Sequence, residues 1–299
     1  MKYDLCLASN WEHDADFIRL LDSACAARGL ALLPLTPESL PASLPLLATG
    51  EAGFSALLDR ASESDPAFLP LVDIAKKNNA RRFNPRELAD RAYDKASMHY
   101  KFIEAGIHTP HTIILPSYVD QPTLPNLDLS PLGGKFAVKP AFGGGGEGVV
   151  MEVGSLEQAQ AARREFPEQP YLLQAHVTPK LLDGLPAWFR VIYCLGEIFI
   201  CHWDTSTHVY TPLRAEAETR LGSASPREVT RRIAQVCKLD LFSTEICLTG
   251  EERPVVVDYV NDPIDLRLKS KAVDGAPDEV VEAIAARIAD VGIGSMGYT

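Results

Sequence analysis

At 299 residues the chain is long enough for about two domains, and its 46% hydrophobic and 23% charged content is that of an ordinary globular protein. Twenty-nine basic residues against 40 acidic ones leave a net charge of −11, which argues against a nucleic-acid or anionic-membrane partner. No apolar run approaches the roughly 20 residues that span a bilayer, and the early Asp4 leaves too short an apolar start for a secretory signal, so a cytoplasmic protein is expected. Six cysteines (Cys6, Cys25, Cys194, Cys201, Cys237 and Cys247) sit mostly among apolar neighbours and form no paired C-x-x-C motif. They are expected to be free, buried, reduced thiols rather than zinc ligands.

Residues 3–8 read as a first strand, followed by a helix over 14–28 that stops at Gly29, then a strand over 30–35. A Pro- and Leu-rich connection leads on to residues 54–60. Strands and helices in alternation predict a small parallel α/β unit over about the first 90 residues. Residues 86–105 carry a helical pattern ending at Gly106, and 109–115 read as a strand. Beyond a proline-marked connection come strands ending at Lys139 and over 149–153, a helix near 155–166, and a strand over 171–177. Residues 189–194 and 197–203 form a predicted hairpin about Leu195-Gly196. Ser225-Pro-Arg-Glu228 has a capping-box pattern and opens a helix to about Lys238; a last helix is expected over 278–290.

Chemistry concentrates in two places. In Phe136-Ala-Val-Lys-Pro-Ala-Phe-Gly-Gly-Gly-Gly-Glu-Gly-Val149, a short apolar strand ends in Lys139, and Gly143, Gly144, Gly145 and Gly146 follow. Such a loop brings backbone N–H groups close to an anion, and a lysine at the strand end supplies a point charge for phosphate. The plain alternative is a loose glycine turn. A dinucleotide-binding Rossmann unit is the weaker reading, because the glycine run does not follow the first strand and no G-x-G-x-x-G opens a helix near the N-terminus.

The second place is an apolar hairpin, 241–248 and 254–260. A symmetric turn about Glu251 and Glu252 sets Glu245 opposite Asp258. Two opposed carboxylates repel, so a cation is expected between them, and Mg²⁺ bridging to substrate phosphates meets that need. The alternative is a pair of acids on the solvated face of an edge hairpin, and a bulge at Gly250 would shift the register. Alternation puts Asp258 and Asp262 on one face and Asn261 on the other. Either a bulge brings Asn261 to the site or Asp262 is the third ligand.

Asp94-Lys95 opening a helix, Gly106-Ile-His-Thr-Pro110, Lys139 before the glycine loop, Gln174-Ala-His-Val177, and the Glu245…Asp258…Asn261 hairpin resemble, in order, the motifs of the ATP-grasp superfamily. The resemblance covers about residues 84–265. It implies an α/β chain with the ATP-grasp fold, two α+β subdomains gripping ATP, preceded by a small parallel α/β domain. The boundaries are then 1–83 for the N-terminal domain and 84–299 for the grasp, divided into 84–175 and 176–299. By position, Lys95 and Lys139 are implied to hold ATP phosphates, the glycine loop to close over them, and Gln174, Ala175, His176 and Val177 to form the adenine linker. Glu245, Asp258 and Asn261 are implied to bind one or two Mg²⁺ ions. The sequence departs from the superfamily in using Asp258 where a glutamate is usual and in placing its asparagine three residues on rather than two. It also has Ala175 in place of a frequent acid, and Ser243-Thr244 where an arginine often stands. Arg190 is the candidate replacement cation, acting with Lys139 in catalysis.

The implied function is an ADP-forming, ATP- and Mg²⁺-dependent ligase that activates a carboxylate as an acyl phosphate for attack by an amine or thiol. Its partners are then small-molecule acids and amines, with a symmetric homodimer as the generic state. Arg190 and Arg267 are candidates to grip a substrate carboxylate, Arg267 being equally readable as a partner of Asp262 or Asp265. His202 and His208 are candidates for the substrate side, and equally structural histidines. A small-molecule kinase is the alternative enzyme, disfavoured because Arg190, Arg214 and Arg267 form no dense basic cluster in sequence. A nucleotide-binding module without turnover is the alternative outside enzymes.

Overall fold

The computed structural model describes residues 1–291. Its first sheet contains β1 (Lys2–Ser9), β2 (Leu32–Leu35), β3 (Gly53–Arg60) and β4 (Arg81–Phe83), all parallel, in the order β2-β1-β3-β4. The connections are α1 (Ala15–Ala26), α2 (Leu40–Thr49) and α3 (Leu69–Lys77). The Pro- and Leu-rich stretch expected to be a connection is thus largely a helix. Its prolines misled: one lies in the first turn, where the missing N–H costs nothing, and Pro45 is tolerated inside because Leu40 and Leu47 bury against the sheet.

The predicted helix over 86–105 is two helices, α4 (Arg86–Tyr93) and α5 (Lys95–Glu104). Asp94 between them is extended, and its carboxylate caps α5 by accepting from Ala96 N at 3.0 Å and Ser97 N at 3.2 Å. An antiparallel sheet follows, built from β5 (Thr112–Leu115), β6 (Phe136–Pro140), β7 (Val150–Val153) and β8 (Tyr171–Ala175) in the order β5-β8-β6-β7, with α6 (Leu156–Ala162) before β8.

A two-residue-per-strand hairpin, β9 (Leu181–Leu182) and β10 (Leu185–Pro186), leads to the third sheet. That sheet is antiparallel, ordered β13-β12-β11-β14-β15, from β11 (Trp188–Cys194), β12 (Glu197–Trp203), β13 (Tyr210–Pro212), β14 (Leu241–Leu248) and β15 (Pro254–Asn261). Between β13 and β14 run α7 (Ala215–Leu221) and α8 (Pro226–Cys237), and α9 (Asp278–Val291) closes the described chain. Ser225 caps α8 by accepting from Arg227 N at 3.3 Å, whereas Glu228 turns to Arg231 instead of completing the box. Ser225→Ala is expected to cost about 1 kcal/mol, read from the midpoint of urea unfolding.

The cores explain how the layers join. Phe17 and Leu21 of α1 pack with Leu5 and Leu7 of β1, Ile284 and Ile288 of α9, and Ile192 of β11, so the first and third sheets share one apolar cluster. Phe102 of α5 packs with Phe189, Phe242 and Tyr259 under the third sheet. All six cysteines are buried and none is in a disulfide. Among the described residues no helix is long and apolar enough to cross a membrane.

Candidate functional site

A cleft of about 830 Å³ lies between the second and third sheets, within the range of about 300–1,000 Å³ usual for small-molecule sites. One wall comes from β6, β7 and the glycine loop, the other from β11, β12, β14 and β15.

Lys139, on β6, directs its Nζ to the Val257 carbonyl at 3.5 Å across the cleft. Burial pushes its ammonium below the ordinary lysine range, Lys95 adds to the effect, and Asp258 and Glu245 oppose it. Lys95 is the first residue of α5, delivered there by the break at Asp94; its Nζ donates to the Gly143 carbonyl and lies 5.5 Å from the Tyr93 ring centre. The two lysines read from the sequence therefore converge from different elements.

In the loop, Gly145 and Gly146 adopt φ of +62° and +80° with open space about them. Gly148 is constrained twice, by φ +69° and because a Cβ there would stand 2.5 Å from Phe166 Cε2. Gly148→Ala is expected to lower the melting temperature, while Gly144→Ala, which meets nothing within 4 Å, leaves it unchanged.

Glu245 does face Asp258 in the β14–β15 pairing. The register shifts on both sides, to Ile246↔Val256 toward the turn and Ser243↔Asn261 toward the strand end. The first shift absorbs an off-centre turn closed by Thr249 N on Arg253 O at 3.1 Å. The second is the irregularity Asn261 needs: its Nδ2 donates to the Ser243 carbonyl at 3.5 Å, and its amide lies beside Asp258. Asp262 also reaches the cleft, but its carboxyl lies beside the Asn84 amide and near Arg60.

The opposed acids differ in state. Burial pushes the Glu245 carboxyl up to about 7 despite an ion pair with Arg190. Burial acts the same way on Asp258, yet Lys95, Lys139, Arg190 and the Asn261 amide hold it below the ordinary carboxylate range. Two carboxylates and an amide oxygen beside two lysines are hard donors suited to Mg²⁺, which usually takes one or two protein carboxylates and completes its shell with phosphate and water. No cluster of three or more His, Cys, Asp or Glu able to hold a metal occurs among the described residues.

Arg190 and Arg267 both line the cleft. Arg190 pairs with Glu245 and lies 5.5 Å and 5.9 Å from the ring centres of Trp203 and Tyr210. Arg267 is forked onto Asp265 at 2.7 Å and Asp274 at 2.9 Å, so the reading as an acid's partner is the one realised, with Asp265 and not Asp262. Gln174, His176 and Val177 line the cleft, whereas Ala175 does not: its N–H donates to the His111 carbonyl at 2.9 Å. Of the histidines, His208 reaches the cleft, stacked 5.7 Å from Trp203, while His202 is bonded to the Pro186 carbonyl at 2.8 Å.

Sequence reasoning missed the aromatic wall of Trp188, Trp203 and Tyr210 and the anchor beneath the cleft. Alternation from Arg190 along β11 gives Trp188, and the register of β12 places Trp203 at the same end, so the hairpin itself carried that signal. The anchor is a buried ion pair: Asp14 accepts from Arg60 at 2.7 Å and 2.9 Å and from Ser9 at 2.8 Å, while Arg60 also holds the Ile264 carbonyl at 3.0 Å.

No family model matches the sequence, and a search of curated proteins finds no match either. Solved structures do match over nearly the whole chain. The RimK domain protein ATP-grasp from Sphaerobacter thermophilus is 20% identical with a TM-score of 0.63, covering 96% of this chain and 98% of that one. The chain has the ATP-grasp fold. D-alanine–D-alanine ligase from Bacillus anthracis, complexed with ATP, is similar at 13% identity and TM-score 0.64, covering 97% and 95% of the two chains. The ATP-grasp ligase PsnB, complexed with minimal precursor, Mg and ADP, is similar at 12% and 0.59, covering 95% and 97%. In an ATP-grasp frame the antiparallel second sheet and the third sheet are the two halves of the grip, and the cleft between them holds Lys95, Lys139, Glu245 and Asp258.

Proposed function

We propose that this chain is an ATP- and Mg²⁺-dependent ligase that activates a carboxylate as an acyl phosphate for attack by an amine. The observation that carries the reading is the convergence of Lys95, Lys139, the glycine loop, Glu245, Asp258 and Asn261 on one cleft. In this reading residues 1–83 precede the grasp, and 84–175 and 176–299 are its halves; residues 292–299 lie outside those described. Gln174, His176 and Val177 border the adenine end, where Ala137, Met151 and Val257 supply an apolar lining. Lys95 exchanges its bond to the Gly143 carbonyl for a phosphate oxygen, which frees the loop to close and exclude water. Glu245, Asp258 and Asn261 would hold the metal, which when bound spreads the phosphate charge. Arg190, fixed between Glu245 and two aromatic rings, faces the transferring phosphate. Arg267, already neutralised by two acids, shapes the substrate side more than it attracts an anion.

The kinase reading gains nothing, since the arginines of the cleft are each paired with acids. Incubation with ATP, Mg²⁺ and mixtures of carboxylic acids and amines is expected to release ADP and phosphate only when both substrates are present. Release of AMP would overturn the acyl-phosphate route, and ADP release with a hydroxyl compound alone would favour the kinase. Asp258→Asn is expected to abolish the magnesium dependence of nucleotide binding; a dependence that persists would make the hairpin structural.

A further inference from the structure

Three buried polar side chains from different elements meet behind the nucleotide end of the cleft. His99 of α5 is 4% exposed, Gln174 of β8 2% and Tyr259 of β15 1%. The Tyr259 hydroxyl stands 2.7 Å from His99 Nδ1, and Gln174 Nε2 donates to the same hydroxyl at 3.5 Å. The His99 and Tyr259 rings stack with centres 5.9 Å apart, and Phe102 meets Tyr259 edge-on at 5.2 Å, so packing holds the hydroxyl in place. Of the three, it is Gln174 that lines the cleft, beside Ala137 and Val257.

The direction of these bonds follows from a count of protons. A phenol has one to give. Since the Tyr259 oxygen accepts from Gln174, that proton goes to His99 Nδ1, and the neutral ring carries its own proton on Nε2. Burial, with His111 adding to it, holds the imidazole below the ordinary histidine range and so neutral. The Gln174 amide is thereby kept with its nitrogen turned inward. Its Oε1 has no donor among the described residues and is not one of the buried polar atoms left unsatisfied, so it opens on the cleft.

We propose that His99 and Tyr259 are positioning residues that select the nucleobase, by holding the Gln174 oxygen toward the cleft as an acceptor. Adenine presents an amino group where guanine presents a carbonyl oxygen, so a fixed acceptor pairs with the first and repels the second. The proposal rests on the nucleotide site of the ligase reading and adds to it how that site tells purines apart. An amide free to turn would serve both bases, which is why the selection lies in the two residues behind Gln174.

The test is calorimetric titration of the full chain with non-hydrolysable ATP and GTP analogues in the presence of Mg²⁺, on the wild type and two variants. The wild type is expected to bind the ATP analogue about tenfold or more tighter than the GTP analogue. Tyr259→Phe keeps the ring packing but releases the amide, and the ratio of the two affinities is expected to fall by about tenfold. His99→Leu deprives the hydroxyl of its acceptor, so its proton turns to Gln174 and the amide nitrogen faces the cleft. The ratio is then expected to fall at least as far, with the GTP analogue binding more tightly than to the wild type. Variants that weaken both analogues alike, with the ratio kept, would make the pair structural and overturn the proposal. A wild type indifferent to the base would overturn it as well, while leaving the nucleotide site in place. Binding of neither analogue to the wild type would overturn the ligase reading first, and the base selection with it.

Discussion

Asp14→Ala is expected to destabilise the protein by about 3–5 kcal/mol, the range for removing one partner of a buried ion pair. Asp14 and Arg60 are 1% and 4% exposed at the side chain, so the guanidinium left behind has no access to water. Three hydrogen bonds to Asp14 are lost together, two from Arg60 and one from Ser9. The loss is not local, because Arg60 also holds the Ile264 carbonyl just beyond Asn261 and so ties the first sheet to the end of the acidic hairpin. Urea unfolding followed by circular dichroism measures the first effect. A destabilisation below about 1 kcal/mol would mean that Arg60 finds another partner or reaches water.

Lys139→Ala is expected to do the reverse: a large loss of nucleotide affinity with little loss of stability. A hydrogen bond from a charged donor contributes about 1.5–3 kcal/mol, or roughly ten- to 150-fold in affinity. The stability of the free protein is not expected to suffer, because burial and the neighbouring Lys95 already disfavour the charged ammonium, and its one close acceptor among the described residues is a carbonyl at 3.5 Å. Such a lysine is placed for a ligand. Calorimetric affinity and thermal melting of the same variant separate the two effects. An unchanged affinity would remove Lys139 from the phosphate site, and a melting temperature that falls as steeply as the affinity would make it structural.

What the sequence disclosed was what depends on neighbours along the chain. The glycine run after Lys139 is contiguous, and the short turn between β14 and β15 let Glu245 be matched to Asp258 by counting. Even there the match survived an off-centre turn only because a register shift compensated it. The helical pattern of α4 and α5 runs on across Asp94, so periodicity alone merged the two helices, and only the Asp94-Lys95 motif marked where the second one opens. The α2 helix was hidden by its prolines, whose local cost is offset by burial that no local pattern reports. The Asp14–Arg60 pair and the His99–Tyr259–Gln174 relay join residues far apart in sequence, and their partners become visible only once three sheets are stacked. Ala175 shows the limit of reading roles by position: it falls within the expected linker, but its backbone N–H is already committed to His111.

Titration of the purified protein with a non-hydrolysable ATP analogue, with and without Mg²⁺, tests the central claim most directly. Saturable binding that tightens when the metal is added is the expected result, since the lysines and the hairpin acids meet in one cleft. Binding indifferent to Mg²⁺ would contradict the metal site and with it catalysis, and no binding at all would contradict the nucleotide site.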